Sequence, residues 1–485
     1  MKLHNPNFRA LWSAYDHIIL LFTISLLCLH PTTSSATPSN ETDRLALLKF
    51  KESIAEDPYG IFSSWNDSIQ FCNWHGIICS RHHGRVTALE LEGYKLRGTI
   101  TPYIGNLTFL RSINLQNNSF YGEIPKEVGH LFRLQHLILS NNTLGGEIPV
   151  SLTNCSKLRT INILWNKLIG KIPMELGSLT KVYFLGIGAN NLTGGIPPSL
   201  GNMSLLTVFS VAYNNLEGNI PESIGHLKSL SFFSVTTNKL IGMVPSSLYN
   251  ISSISSLVLS QNQLNGTLPE NIALTLPNLQ NLQIGANKFF GPIPGALCNA
   301  SQLQDLDLAQ NNFVGSVPSV IPTYFGKFQK MQGIVFIEGN KLSGKIPSSI
   351  GNLTQLVVLF LRENNLEGSI PPSIGNCRSL QKLDVSQNYL GGVIPQQEGG
   401  PTDDMFKDGL NLHNFVKMAL PKRLIQVVNP MLLPREAEEM GVATVAIVAI
   451  EEEDDKDNEI EVEANSIEDF RQIDADLTKV LTLNP

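Results

Sequence analysis

The sequence predicts a repeat solenoid, in which stacked coils each contribute one short strand to a parallel sheet. Three observations carry this expectation. A 24-residue period of the form L-x-x-L-x-L-x-x-N-x-L-x-G-x-I-P runs through most of the 485 residues. Its asparagine column reads Asn118, Asn142, Asn166, Asn190, Asn214, Asn238, Asn262, Asn287, Asn311, Asn340, Asn364 and Asn388. All steps are 24 residues except 262 to 287, which is 25, and 311 to 340, which is 29. Tyr94 stands in the column of a first coil, giving thirteen repeats over residues 86–397. Third, charged residues are only 16% and hydrophobic residues 42%, which excludes a disordered chain.

Each element of the period has a physical reason. A single coil cannot bury its own apolar face, so Leu and Ile at fixed positions stack on the next coil. The short L-x-L stretch is a strand with its leucines inward and their neighbours outward. The asparagine amide satisfies backbone groups that the turning chain would bury unpaired. Gly and Ile-Pro shape the return side, because proline fixes φ and removes a donor. Cys155 and Cys377 occupy a core leucine position, held elsewhere by Leu107 and Leu353, and so read as buried thiols; Cys298 lies two places earlier.

The N-terminus reads as a cleaved secretory signal. Lys2 and Arg9 precede an apolar run from Ile18 to Leu29, followed by Ser34-Ser35-Ala36. That run is shorter than the ~20 residues of a membrane span, as is Val442 to Ile450, so no membrane helix is expected in the mature chain. Cys72 and Cys79 lie close together in FCNWHGIICS. With His75 and His82 they have a spacing that could hold zinc, but an oxidising compartment and the flanking Trp65 and Trp74 favour a structural disulfide.

At this point the sequence becomes recognisable. DRLALLKFKESI, the SSWN stretch and the Cys72/Cys79 pair resemble the N-terminal cap of plant leucine-rich-repeat receptors. Repeats ending GxIPxxLGNLxx resemble the plant-specific class, and residues 43–397 are similar to ectodomains of plant leucine-rich-repeat receptor-like kinases of the immune-receptor subgroup. The resemblance implies an α/β-type leucine-rich-repeat solenoid, a right-handed superhelix with short parallel strands on its concave face and a disulfide-bearing cap. It also implies a peptide or protein ligand on that face, often with a shape-complementary co-receptor ectodomain.

The chain departs from such a receptor after IPQQEGG. PTDDMFKDGLNLHNFVKMALPKRLIQVVNPMLL (401–433) resembles the extreme C-terminal end of the family's kinase domain. The sequence has no Gly-rich loop with a V-A-I-K lysine, no H-R-D catalytic loop and no D-F-G metal site, so no phosphotransferase activity is expected. Gly186-x-Gly188 lacks a third glycine and sits in a repeat strand. Apolar residues such as Leu412, Phe415, Leu420 and Leu424 fit one or two amphipathic helices. Residues 451–479 carry thirteen acidic side chains against Lys456, Arg471 and Lys479, a balance of −10. The whole chain is −7, so the remainder is +3 and the acidity belongs to the tail. Nucleic-acid binding, which needs a basic excess, is not expected.

The organisation read from the sequence is therefore a signal peptide (1–36), a cap (37–85), thirteen repeats (86–397), a kinase remnant (398–440) and an acidic, mobile tail (441–485). No catalytic residues, metal ligands or cofactors are expected.

Binding is expected at the outward strand positions, which lie six, four and two places before each column residue. Six places before it, Phe184, Val208 and Phe232 fall on consecutive coils, with Tyr213 just before Asn214 on the same rim. The three strand residues are read as a water-facing apolar stripe for a ligand, with Tyr213 on its rim. A second group comprises Ile334, Phe336, Val358, Phe360 and Arg362. Asp305, Asp307 and Glu338 read as a solvated acidic spot, and Glu90, Glu92, Asn114 and Gln116 as a polar surface. The paired-arginine pattern with which some relatives hold a peptide carboxylate is absent, since Glu363 follows Arg362. Glycosylation sequons occur at Asn40, Asn66, Asn106, Asn117, Asn141, Asn154, Asn191, Asn202, Asn250, Asn265, Asn299 and Asn352. The leading expectation is a secreted, non-catalytic, receptor-like binding module in plant signalling or defence. The alternatives are an inhibitor of extracellular cell-wall hydrolases and a non-functional receptor-kinase remnant.

Overall fold

The computed structural model describes residues 40–318, 333–380 and 382–391. The expected signal peptide, the longer step between Asn311 and Asn340, the kinase-like remnant and the acidic tail lie largely or wholly outside these residues. The described chain opens with helix α1 (Asn40–Glu52), which carries Glu41 and Asp43 in its first turn and Lys49 and Lys51 in its last, complementing the helix dipole.

Behind α1 a non-repeating core forms around aromatic side chains. Trp65 and Trp74 stack with centroids 5.2 Å apart, and Phe62 meets Trp65 edge-on at 4.7 Å. Both indole N–H groups donate to carbonyls, Trp65 Nε1 to His75 at 3.0 Å and Trp74 Nε1 to Ile69 at 2.9 Å. Cys72 and Cys79 form a disulfide with Cα atoms 5.5 Å apart. His75 instead shares a 2.6 Å hydrogen bond with Tyr94, so the zinc-like spacing serves no metal cluster among the described residues.

A buried ion pair locks α1 onto the first coil. Asp43, fully buried, accepts from Arg85 Nη2 at 2.7 Å, Arg85 Nε at 2.8 Å and the Val86 amide at 2.9 Å. Both charges are paired in a bidentate geometry, which is what permits them to be buried.

From Val86 onward the period governs. Among the described residues a fourteen-stranded sheet starts with one antiparallel pair, Ile77–Cys79 against Val86–Glu90. It continues with parallel strands in register, one per coil, to Lys382–Asp384. Along the parallel strands before the last, the residue facing inward is a closed apolar one, such as Leu185, Phe209 and Phe233 on successive coils, and Leu383 on the last is half-buried. Two shorter sheets, of four and nine strands, run along the return side of the coils. The 25-residue step is absorbed where a single α-helical turn, α2 (Ile272–Thr275), replaces the 3₁₀ turn of other coils. A wider turn uses one more residue than a 3₁₀ turn.

The asparagine ladder closes the frame. Asn190 Nδ2 donates to the carbonyls of Ile163, Ile187 and Gly188 at 3.1, 3.2 and 3.0 Å, and its Oδ1 accepts the Leu168 amide at 2.9 Å. One side chain thus satisfies four backbone groups on two coils, and Asn214 and Asn262 repeat the pattern. The preceding residue turns through positive φ, as at Trp165 (54°), Ala189 (51°) and Tyr213 (52°). Cys155 and Cys377 are buried, each donating to a carbonyl of the preceding coil, Val128 at 3.3 Å and Ile350 at 3.2 Å. Burial raises both thiols to about 11, which keeps them protonated and unreactive. The Cys298 side chain lies outside the description.

Candidate functional site

The solvent side of the long sheet is built by the strand residues six, four and two places before the asparagine column. Register places Phe184, Val208 and Phe232 side by side, each a direct partner of the next. Their position on one face matches the sequence expectation; their exposure does not. Phe184 is 1% exposed and Val208 0%, while Phe232 is half-buried.

Part of the reason is local. Gly186 and Gly188 leave a notch on this face. A Cβ on Gly186 would meet Phe184 Cε1 at 2.9 Å and Leu164 Cγ at 3.1 Å. The ring therefore lies down over Gly186 against Leu164 instead of standing into water. Polar residues on the same stretch, Thr160, Asn162, Ser210 and Ser234, are equally closed. Burial thus belongs to this part of the sheet and not to the two apolar side chains alone.

Leu164, Ala212 and Val258 extend the apolar surface and were missed by sequence reasoning. They lie two or four places before the column, so scanning all three outward positions would have found them. Tyr213 is half-buried on the adjoining turn, where its amide donates to the Thr236 carbonyl at 2.8 Å.

The second group is more open. Phe336 and Phe360 are register partners with centroids 5.2 Å apart, flanked by Ile334 and Val358, and all four are half-buried. Arg362, 40% exposed, pairs with its neighbour Glu363 at 2.8 Å. Glu338 lies beside this group and departs from the solvated acidic spot expected of it. Its Oε2 is closed off without a hydrogen-bond partner. Burial pushes its carboxyl up to about 7, with Asp307 and Asp384 adding to the rise and Arg362 opposing it.

At the start of the same face the polar surface is internally paired. Ser112 Oγ donates to Glu90 at 2.7 Å and Asn114 Nδ2 to Glu92 at 3.0 Å. Burial raises Glu90. The sequon asparagines are exposed apart from half-buried Asn265, and Asn141 donates to Asn117 at 2.9 Å.

Comparisons with known proteins now fall into place on this geometry. Residues 40–80 match a leucine-rich-repeat N-terminal domain, residues 79–289 a leucine-rich-repeat region and residues 355–377 a single leucine-rich repeat. The chain is a leucine-rich-repeat protein. It is homologous to plant leucine-rich-repeat receptor-like kinases.

Over 83 residues it is 53% identical to the LRR receptor-like serine/threonine-protein kinase EFR of Arabidopsis thaliana, covering 17% of this chain and 8% of that protein. Over 82 residues it is 43% identical to the receptor kinase-like protein Xa21 of Oryza sativa subsp. japonica, covering 16% and 8%. The matches therefore span under a tenth of these relatives' length.

Among solved structures, a TDR receptor aligns with a TM-score of 0.55 and 29% identity over 67% of this chain and 64% of that one. The plant peptide hormone receptor RGFR1, solved in complex with RGF2, aligns with a TM-score of 0.50 and 26% identity over 69% and 61%. The leucine-rich-repeat domain itself is non-enzymatic, and no helix among the described residues is long and apolar enough to cross a membrane.

Proposed function

We propose that this leucine-rich-repeat protein is a non-catalytic, receptor-like recognition module that binds a peptide or protein ligand on the outer face of the long sheet, in plant signalling or defence. One observation carries the reading. Three buried side-chain polar atoms among the described residues lack a hydrogen-bond partner, and two of them, Ser234 Oγ and Glu338 Oε2, lie on this face. Folded proteins pair such atoms, because each orphan costs about 1–3 kcal/mol. Glu338 is half-buried on this face, so its unpaired carboxyl is the one of the two that a ligand's polar group can meet.

Ser234 follows Phe232 by two residues on the same strand face, and Glu338 follows Phe336 in the same way. The apolar contacts are then half-buried Phe232 with Tyr213 on the rim, and further along Phe336 and Phe360 with Arg362 beside them, while Phe184 and Val208 lie closed beneath the face. Four strand steps of ~4.8 Å separate Phe232 from Ile334, about 19 Å. An extended peptide of about six residues bridges that span.

RGFR1 with its peptide RGF2 supports a ligand of this class. The Cys72–Cys79 disulfide supports an oxidising, extracellular compartment, in line with the signal-like N-terminus. The sequence contains no kinase catalytic motifs, so ATP with a generic acceptor should yield no phosphoryl transfer.

The test is a selection of displayed random peptides on the full chain, followed by titration of the enriched peptide. Phe232→Ala and Phe336→Ala should each weaken binding about tenfold at a cost of only about 1 kcal/mol in stability, as expected for half-buried sites. Affinity that ignores both substitutions removes the site.

A further inference from the structure

The geometry points to a second interaction surface, on the edge of the sheet where the strands begin, that docks an acidic segment of a partner protein. Five cations occupy this edge on four consecutive coils. Arg111 and Arg159 stand seven places before the asparagine column, and Arg133, Lys157 and Lys181 stand nine before it.

The backbone fixes their alignment. The Arg111 carbonyl accepts the amides of Gln135 and His136 at 2.7 and 3.0 Å, the Arg159 amide donates to Gln135 at 2.8 Å, and the Arg159 carbonyl accepts from Tyr183 at 2.9 Å. Three strand steps of ~4.8 Å make the strip about 14 Å long.

The strip has no internal counter-charge. No Asp or Glu falls within 104–112, 128–136, 152–160 or 176–184; the nearest before them in sequence, Glu127 and Glu175, sit in the first turns of the preceding 3₁₀ segments. The ion pairs among the described residues use Arg44, Lys49, Arg85, Arg97 and Arg362, and none of the five. Arg111, Lys157, Arg159 and Lys181 are exposed. Arg133 is held in place by the Phe109 ring, its Cζ 3.8 Å from the centroid. The local field is felt by His136, lowered first by burial and then by Arg159.

Outside residues 451–479 the chain carries only +3, so five unpaired cations on one edge concentrate its positive charge. Apolar residues interleave with them: Phe132 is 59% exposed and Phe109 half-buried. Arginine and aromatic side chains together are the composition of protein interfaces. Guanidinium groups also match carboxylates bidentately. An acidic protein segment running across the coils meets both features, whereas an acidic polysaccharide uses the charge alone. This edge is separate from the strand face assigned to the ligand, so a module could hold both at once.

The test titrates the full chain with poly-L-glutamate of about ten residues, enough to span the strip when extended. Saturable binding at low salt should disappear in about 0.5 M salt. Combined Arg111→Glu, Arg159→Glu and Lys181→Glu should weaken it about tenfold or more. Lys341→Glu with Lys345→Glu, on the return side, should leave it within about twofold. If charge reversal lowers thermal stability, Arg159→Gln with Lys181→Gln carries the same test with a smaller loss. No binding of poly-L-glutamate, equal weakening by both sets, or binding of polygalacturonate in its place overturns the proposal.

Discussion

The asparagine column and the strand face two to six residues before it are made by the same coils, yet they are built on opposite rules. In the column almost every coil repeats one residue making one set of hydrogen bonds, as Asn190, Asn214 and Asn262 show. On the face, the residue six places before the column changes from Thr160 to Phe184, Val208, Phe232 and Ser256 within five coils. A position that must satisfy four buried backbone groups has one chemical solution. A position that faces away from the core has no such single solution and is free to vary from coil to coil. The difference separates what holds the solenoid together from what it presents.

Substitutions can break or sharpen this contrast. The largest effect is expected in the frame. Asn214→Ala orphans groups on two coils and should cost about 3 kcal/mol or more, read as a fall in denaturant midpoint. On the face, Phe184→Ala should cost nearly as much, about 3 kcal/mol, because the ring lies buried against Leu164. Phe360→Ala, at a half-buried site, should cost about 1 kcal/mol. Gly186→Ala would push a methyl group into Phe184 and Leu164 and should cost about 1–3 kcal/mol.

The smallest effect is pH-dependent. Glu338 titrates at about 7 in the fold against a reference of 4.5, so the folded state holds a proton that the unfolded chain releases. Its contribution is complete below about pH 4.5 and is lost as pH rises through about 7. Glu338→Gln should therefore flatten the change in thermal midpoint between these values. An unchanged slope would show the carboxyl to be solvated.

This contrast also explains how much the sequence disclosed. The period alone predicted the coils, the inward leucines, the buried Cys155 and Cys377 and the register that aligns Phe184, Val208 and Phe232. All of these follow from repetition. Exposure did not follow, because it depends on the three-dimensional surroundings: glycines at 186 and 188 let Phe184 lie flat, and Glu338 is withdrawn from water although its residue type and spacing read as solvated. The Asp43–Arg85 pair was equally hidden, since it joins residues 42 positions apart in the non-repeating cap, where no period relates them.

The central claim is that the outer face of the long sheet takes the ligand, and hydroxyl-radical footprinting with a selected peptide addresses it most directly. Phe232, Phe336 and Phe360 should lose labelling when the peptide binds. Phe290, 50% exposed on the return side, should keep its labelling. Protection at Phe290 with none at Phe232, Phe336 or Phe360 would contradict the account.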